Sequence, residues 1–224
     1  RLKNISIDNT LNGWPKLHTL LLMNVNIEER AQLVLESLRN LYLIDVRHIE
    51  LLPLRWFQQL HSFTLLTMAT RNRLKNILLR LGSECMQLRL MVNGPEWEDA
   101  FLFSRRYAFA ASLTELDLQL DCSLTDLTRY TALRRIRLTL EQPLDLTFTK
   151  LAVLPRLETL WIESDNMVDD FRWFSAETSK QALATMTLSS LTTLTLQIFA
   201  FEDDHQVGVN VYFLSALPHL LPNL

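Results

Sequence analysis

The sequence predicts an α/β solenoid, with one parallel sheet of short strands on the concave side and helices and irregular segments on the convex side. Three observations lead there. One apolar spacing recurs nine times along the chain. Leucine supplies 49 of the 224 residues while glycine supplies 4. Between copies the hydrophobic period changes from two residues to a helical one.

The recurring unit is an apolar residue, two variable ones, an apolar residue, one variable, and an apolar residue. It is read at Leu2-Ile5-Ile7, Leu17-Leu20-Leu22, Leu38-Leu41-Leu43, Leu60-Phe63-Leu65 and Cys85-Leu88-Leu90. It continues at Leu113-Leu116-Leu118, Leu133-Ile136-Leu138, Leu157-Leu160-Ile162 and Leu191-Leu194-Leu196. First positions are spaced by 15 to 34 residues, mostly near the 20 to 29 of leucine-rich repeats. The last residues of each copy alternate with period two, which predicts a short strand with one buried face.

Between copies, Ile27, Ala31, Val34, Leu35 and Leu38 fall at helical spacing, with Asn26 and Glu29 placed as a capping pair. Leu74, Ile77, Leu78 and Leu81 predict a second helix, with Gly82 as its C-terminal stop. Pro95 opens a third that runs on through about Ala110, acidic residues early and Arg105-Arg106 late. The long segments Asn93–Ser112 and Asp165–Ser190 are expected to be helical excursions on the convex side. Their rings (Trp97, Phe101, Phe103, Phe171, Trp173, Phe174) would pack on the repeat core. The pattern runs through residues 1–224, so a single domain of about nine irregular repeats is expected. The chain opens at Arg1 and closes on Leu217-Pro218-His219-Leu220-Leu221-Pro222-Asn223-Leu224, which reads as a fragment of a longer protein.

Composition narrows the function. Four glycines leave little room for phosphate loops or flexible linkers. A net charge of −3 argues against nucleic-acid binding. No stretch approaches the length of a membrane helix, so no membrane contact is expected. Cys85 and Cys122 are too few for a disulfide framework; as two reduced, buried thiols they favour an intracellular setting.

With its nine copies the chain resembles the leucine-rich-repeat superfamily over nearly its whole length. That family places Asn or Cys three residues after the third apolar position. Here the positions hold Thr10, Val25, Val46, Met68, Asn93, Asp121, Glu141, Asp165 and Phe199, so only Asn93 matches. Irregular repeat lengths and the joints Leu154-Pro155-Arg156-Leu157 and Leu217-Pro218-His219-Leu220 look most like the repeat regions of F-box proteins. That resemblance implies a substrate-recruiting region, joined to an SCF-type ubiquitin ligase through a part of the protein outside this fragment. A ligand-sensing domain of a receptor or immune-type sensor is the alternative.

No catalytic or cofactor constellation is found. The five histidines are scattered, and there is no HExxH, GxSxG, Walker loop or GxGxxG. Asn4-Ile5-Ser6 is a formal glycosylation sequon within a predicted strand and reads as a chance match. No enzyme, metal or cofactor is expected. Attention falls on the residue between the second and third apolar positions, which points to the concave face. That column reads Ser6, Leu21, Tyr42, Thr64, Arg89, Asp117, Arg137, Trp161 and Thr195. Tyr42, Arg89, Asp117, Arg137 and Trp161 are the candidate partner-binding residues, since Tyr, Trp and Arg are the usual anchors of interfaces. The bland alternative is a lattice of mutually neutralising ion pairs. In the adjoining columns Met23, Ile44, Leu66 and Met91 give way to Gln119, Thr139 and Glu163, so an apolar first half and a charged second half are expected.

Overall fold

Among the described residues nine parallel strands form one sheet, each hydrogen-bonded to the next in chain order, from β1 to β9. They are β1 Leu2–Lys3, β2 Thr19–Met23, β3 Asn40–Ile44, β4 Ser62–Met68, β5 Gln87–Asn93, β6 Glu115–Gln119, β7 Arg135–Thr139, β8 Thr159–Ser164 and β9 Thr193–Ile198. The computed structural model describes residues 2–3, 14–27, 34–68, 71–93, 107–119, 127–139, 151–164, 188–198 and 222. Parallel pairing in strict chain order means that a crossover joins each strand to the next. The fold is therefore α/β and solenoid-like.

The register follows the apolar spacing. Leu20 pairs with Leu41, Leu41 with Phe63, Phe63 with Leu88 and Leu88 with Leu116, and the third positions run in parallel from Leu22 to Ile162. Both rows are buried from β2 to β8, and the first positions from Leu38 to Leu191 join them in one core. A one-residue slip would turn a whole row to the open face, so burial fixes the register.

The first copy departs from expectation. Leu2 pairs with Leu22 and Lys3 with Met23, so Leu2 occupies the third apolar position and not the first. The step between third positions is then 20 residues, in line with the next steps of 21 and 22. Two apolar spacings fit the sequence there, and backbone pairing with β2 selects one. Ser6 and the sequon lie outside the described residues.

A backbone ladder ties each repeat to the next at the strand entries. The carbonyl of His18 accepts the N–H groups of both Arg39 and Asn40, and that of Arg39 accepts His61 and Ser62. His61, Met86, Thr114, Arg134 and Glu158 repeat the arrangement through to Thr192 and Thr193. Side chains add a second rail: Thr114 Oγ1 donates to Met86 O and Thr192 Oγ1 to Glu158 O.

The described parts of the connections are less helical than expected. Helix α2, Arg71–Leu78, is present, and its Leu74, Ile77 and Leu78 are buried, as is Leu81 just beyond it. The helix predicted from Ile27 to Leu38 is not continuous. Asn26 bridges to Arg47, and the chain from Val34 to Arg39 is coil and turn, with Val34 exposed. Ile27, Leu35 and Leu38 are buried nevertheless, which satisfies the apolar pattern without a helix. Nor does a helix run from Pro95 through Ala110, because Tyr107 is extended and a 3-10 turn follows at Ala108–Ala111. Two elements were not anticipated: a 3-10 turn at Ile49–Leu51 and helix α1, Leu54–Gln58, which buries Trp56 and Phe57 completely. Arg80 holds these together. Its guanidinium donates to Ile49 O at 3.1 Å and to Leu52 O, and lies 4.3 Å over the Phe57 ring. The six rings of the two long segments, and Cys122, lie outside the described residues. Among the described residues no helix is long and apolar enough to cross a membrane.

Candidate protein-binding face

With the triplet rows buried, alternation turns the residue between them to the other side of the sheet. Register places these residues side by side: Leu21, Tyr42, Thr64, Arg89, Asp117, Arg137, Trp161, Thr195. The four candidates from Arg89 to Trp161 are thus consecutive neighbours. Tyr42 stands apart from them across Thr64, which is buried at 7% exposure, so the five do not form an unbroken row. Tyr42 and Trp161 are half-buried.

The charges pair differently from a chain centred on Asp117. Arg89 Nε lies 3.0 Å from Asp117 Oδ2. Arg137 turns instead to Glu163 on β8, with Nη2 2.5 Å from Oε1. Arg135 binds Glu115 at 2.7 Å on the adjoining row, where register sets them opposite. Glu163 is the more enclosed acid, its side chain 12% exposed against 22% for Asp117. The guanidinium of Arg137 also covers the Trp161 ring, its Cζ 4.8 Å from the centroid. Cation–π contact of this kind contributes about 0.5–2 kcal/mol, more as water is excluded.

Burial raises the Asp117 carboxyl above its ordinary value, against the pull of Arg89 and Arg137. Three polar atoms of this cluster are screened from water and make no hydrogen bond among the described residues: Asp117 Oδ1, Arg137 Nε and Trp161 Nε1. An unmade buried hydrogen bond costs about 1–3 kcal/mol. Three arginines here face three carboxylates, so the patch carries no net sign and can select a partner only by the arrangement of its groups.

The expected division of the face holds. Met23, Ile44, Leu66 and Met91 are neighbours in one half-buried row, and Glu163 continues it on the charged side. Among the described residues no group of His, Cys, Asp and Glu could hold a metal ion. Comparison with protein-family models finds no match, and comparison with curated proteins finds none.

A second feature escaped the sequence reading. Asn24, Asp45 and His48 adopt left-handed backbone conformations, with φ of 53°, 49° and 56°. The first two stand two residues after Leu22 and Leu43, and Asn and Asp are the non-glycine residues that best tolerate this region. Equal spacing of Asn24 and Asp45 was the available signal. Backbone bonds tie these turns to the next repeat, from Asn24 N to Ile44 O at 2.9 Å and from Asp45 N to Leu66 O at 2.8 Å. Val25 and Val46, three residues after Leu22 and Leu43, are each 1% exposed.

Proposed function

We propose that this chain is a leucine-rich-repeat module that binds a protein partner on the open face of its sheet, through Arg89, Asp117, Arg137 and Trp161, with Tyr42 at the apolar end. The observation that carries the reading is the consecutive row from Arg89 to Trp161 and its three unsatisfied polar atoms. A half-buried tryptophan under an arginine offers the rigid apolar area and forked donors that interface anchors use. No chemistry is assigned to the face. Support for the repeat family comes from the nine-strand parallel order and the buried triplets.

The finer reading is a substrate-recruiting region of an F-box-type ubiquitin ligase subunit, and it rests on the irregular repeat lengths and Leu-Pro-x-Leu joints. Two experiments separate the levels. The immobilised chain should retain a protein partner that Trp161→Ala and Arg137→Ala chains lose, both variants remaining folded by circular dichroism. Equal retention by all three chains moves the interface off this face. The full-length protein should co-purify with ubiquitin-ligase scaffold subunits; if it carries no F-box and brings down none, the finer reading fails and the interaction module stands.

A further inference from the structure

Residues just beyond β2 and β3 and at the end of β4 line an open groove of about 860 Å³, away from the Arg89–Trp161 row. Asn24, Asp45 and Thr67 line it from three consecutive repeats, over a base of Val25 and Val46. Each of the three directly follows a member of the half-buried apolar row Met23, Ile44 and Leu66. An apolar strip therefore borders a polar groove across three strands, and the occupant must carry both characters.

Arg47 and Arg73 are the arginines that line the groove with Asp45 and Glu50, and Arg73 is the one supplied by α2. Its contacts are long: Nη2 to Val46 O at 3.5 Å and Nε to Glu50 Oε2 at 3.6 Å. Guanidinium–carboxylate bonds of full strength are about 2.7–2.9 Å. Arg73 Nε is screened from water and makes no hydrogen bond among the described residues. Glu50 cannot close on Arg73 alone, because its other oxygen takes His48 Nδ1 at 3.3 Å. His48 is held there in a left-handed conformation, the kind of strain that gathers at functional sites. One carboxylate is thus divided between Arg73 and His48.

We propose that this groove binds an extended acidic peptide segment, its carboxylate on Arg73 and its flanking apolar side chains on Met23, Ile44 and Leu66. Asn26, in the groove wall, offers both a donor and an acceptor to the peptide main chain. The volume lies in the range of about 300–1,000 Å³ typical of ligand sites and has room for a few residues. Asp45 opposes the ligand's charge from the same groove.

The test selects random peptides on phage against the immobilised chain, then titrates one selected peptide, fluorescein-labelled, by anisotropy. Selected sequences should place Asp or Glu beside apolar residues. Arg73→Gln should weaken binding about tenfold, the scale of a charge-assisted bond. Asp45→Asn should strengthen it about threefold by removing a like charge, since Asn keeps the left-handed turn. Arg137→Ala should leave it unchanged, which separates this groove from the face proposed above. If Arg73→Gln fails to fold, Asp45→Asn and a peptide with its carboxylate changed to an amide carry the test. The proposal is overturned if no peptide is selected, if no carboxylate is enriched, or if affinity ignores both charge changes.

Discussion

Gly82 lies against the backbone of Gln58 so closely that a Cβ at residue 82 would stand 2.1 Å from the Gln58 carbonyl oxygen and 2.8 Å from its carbon. Its N–H reaches Phe57 O at 3.2 Å, which docks the end of the α2 segment onto α1. Glycine after α2 was expected as the helix's C-terminal stop, and no glycine among the described residues has positive φ. The requirement is space, not conformational freedom. Gly82→Ala should therefore destabilise by about 3 kcal/mol, the cost of forcing backbone apart in a packed region. Urea unfolding measures it, and a loss under about 0.5 kcal/mol would mean that the two segments separate easily.

Cys85 stands at the first apolar position of its repeat with its side chain buried, and burial pushes its thiol up to about 12. A thiol at that value carries almost no thiolate at neutral pH, and thiolate is the reactive form. In a Cys122→Ser background the folded chain should resist maleimide labelling at pH 8 and label fully in urea. Rapid labelling of the folded chain would place Cys85 outside the core.

The sheet was legible because its cause is local and repeated. Leu20, Leu41, Phe63 and Leu88 carry the register in their spacing, and one buried face is enough to fix it. The row from Arg89 to Trp161 follows by simple alternation. What the row does was harder to see, because ion-pair choice depends on reach across strands: Arg137 selects Glu163, and Asp117 is left to Arg89. The connections were misread where apolar spacing is met without a helix, as between Ile27 and Leu38. The site at Arg73 gave no sequence signal, since Glu50 and Arg73 meet only through the stacking of successive repeats.

Asp117 and Glu50 should give stability opposite slopes in pH. Burial raises the Asp117 carboxyl, so the folded state holds its proton longer than the unfolded chain does. Its favourable contribution is present below 3.8 and is lost as pH rises through the raised folded value. For Glu50, burial raises the carboxyl, but its backbone hydrogen bond, His48 and Arg73 together pull it lower. Its contribution is present above 4.5 and is lost as pH falls. Relative to the native chain, Asp117→Asn should gain stability between about pH 3 and pH 7, and Glu50→Gln should lose it. Urea midpoints across that range decide the matter, and parallel curves for all three chains would refute both assignments.

Arg137 is the residue on which the charged half of the face depends. It closes on Glu163 at 2.5 Å and shields the Trp161 ring, and its partner is the most enclosed acid of the cluster. Truncation to Met keeps the apolar stem over the indole but leaves a carboxylate at 12% exposure without its cation. A charge stranded in this way costs more than the pair contributes when intact. Arg137→Met should destabilise by about 2 kcal/mol, and Glu163→Gln by less, since an arginine extends into water more readily than Glu163. The double variant Arg137→Met/Glu163→Gln should recover most of the loss, because neither member is then left charged and unpaired. A coupling of about 1 kcal/mol or more in this cycle is the expected result. Strict additivity would show that the two side chains are independently solvated, and that Trp161 is covered by something other than this pair.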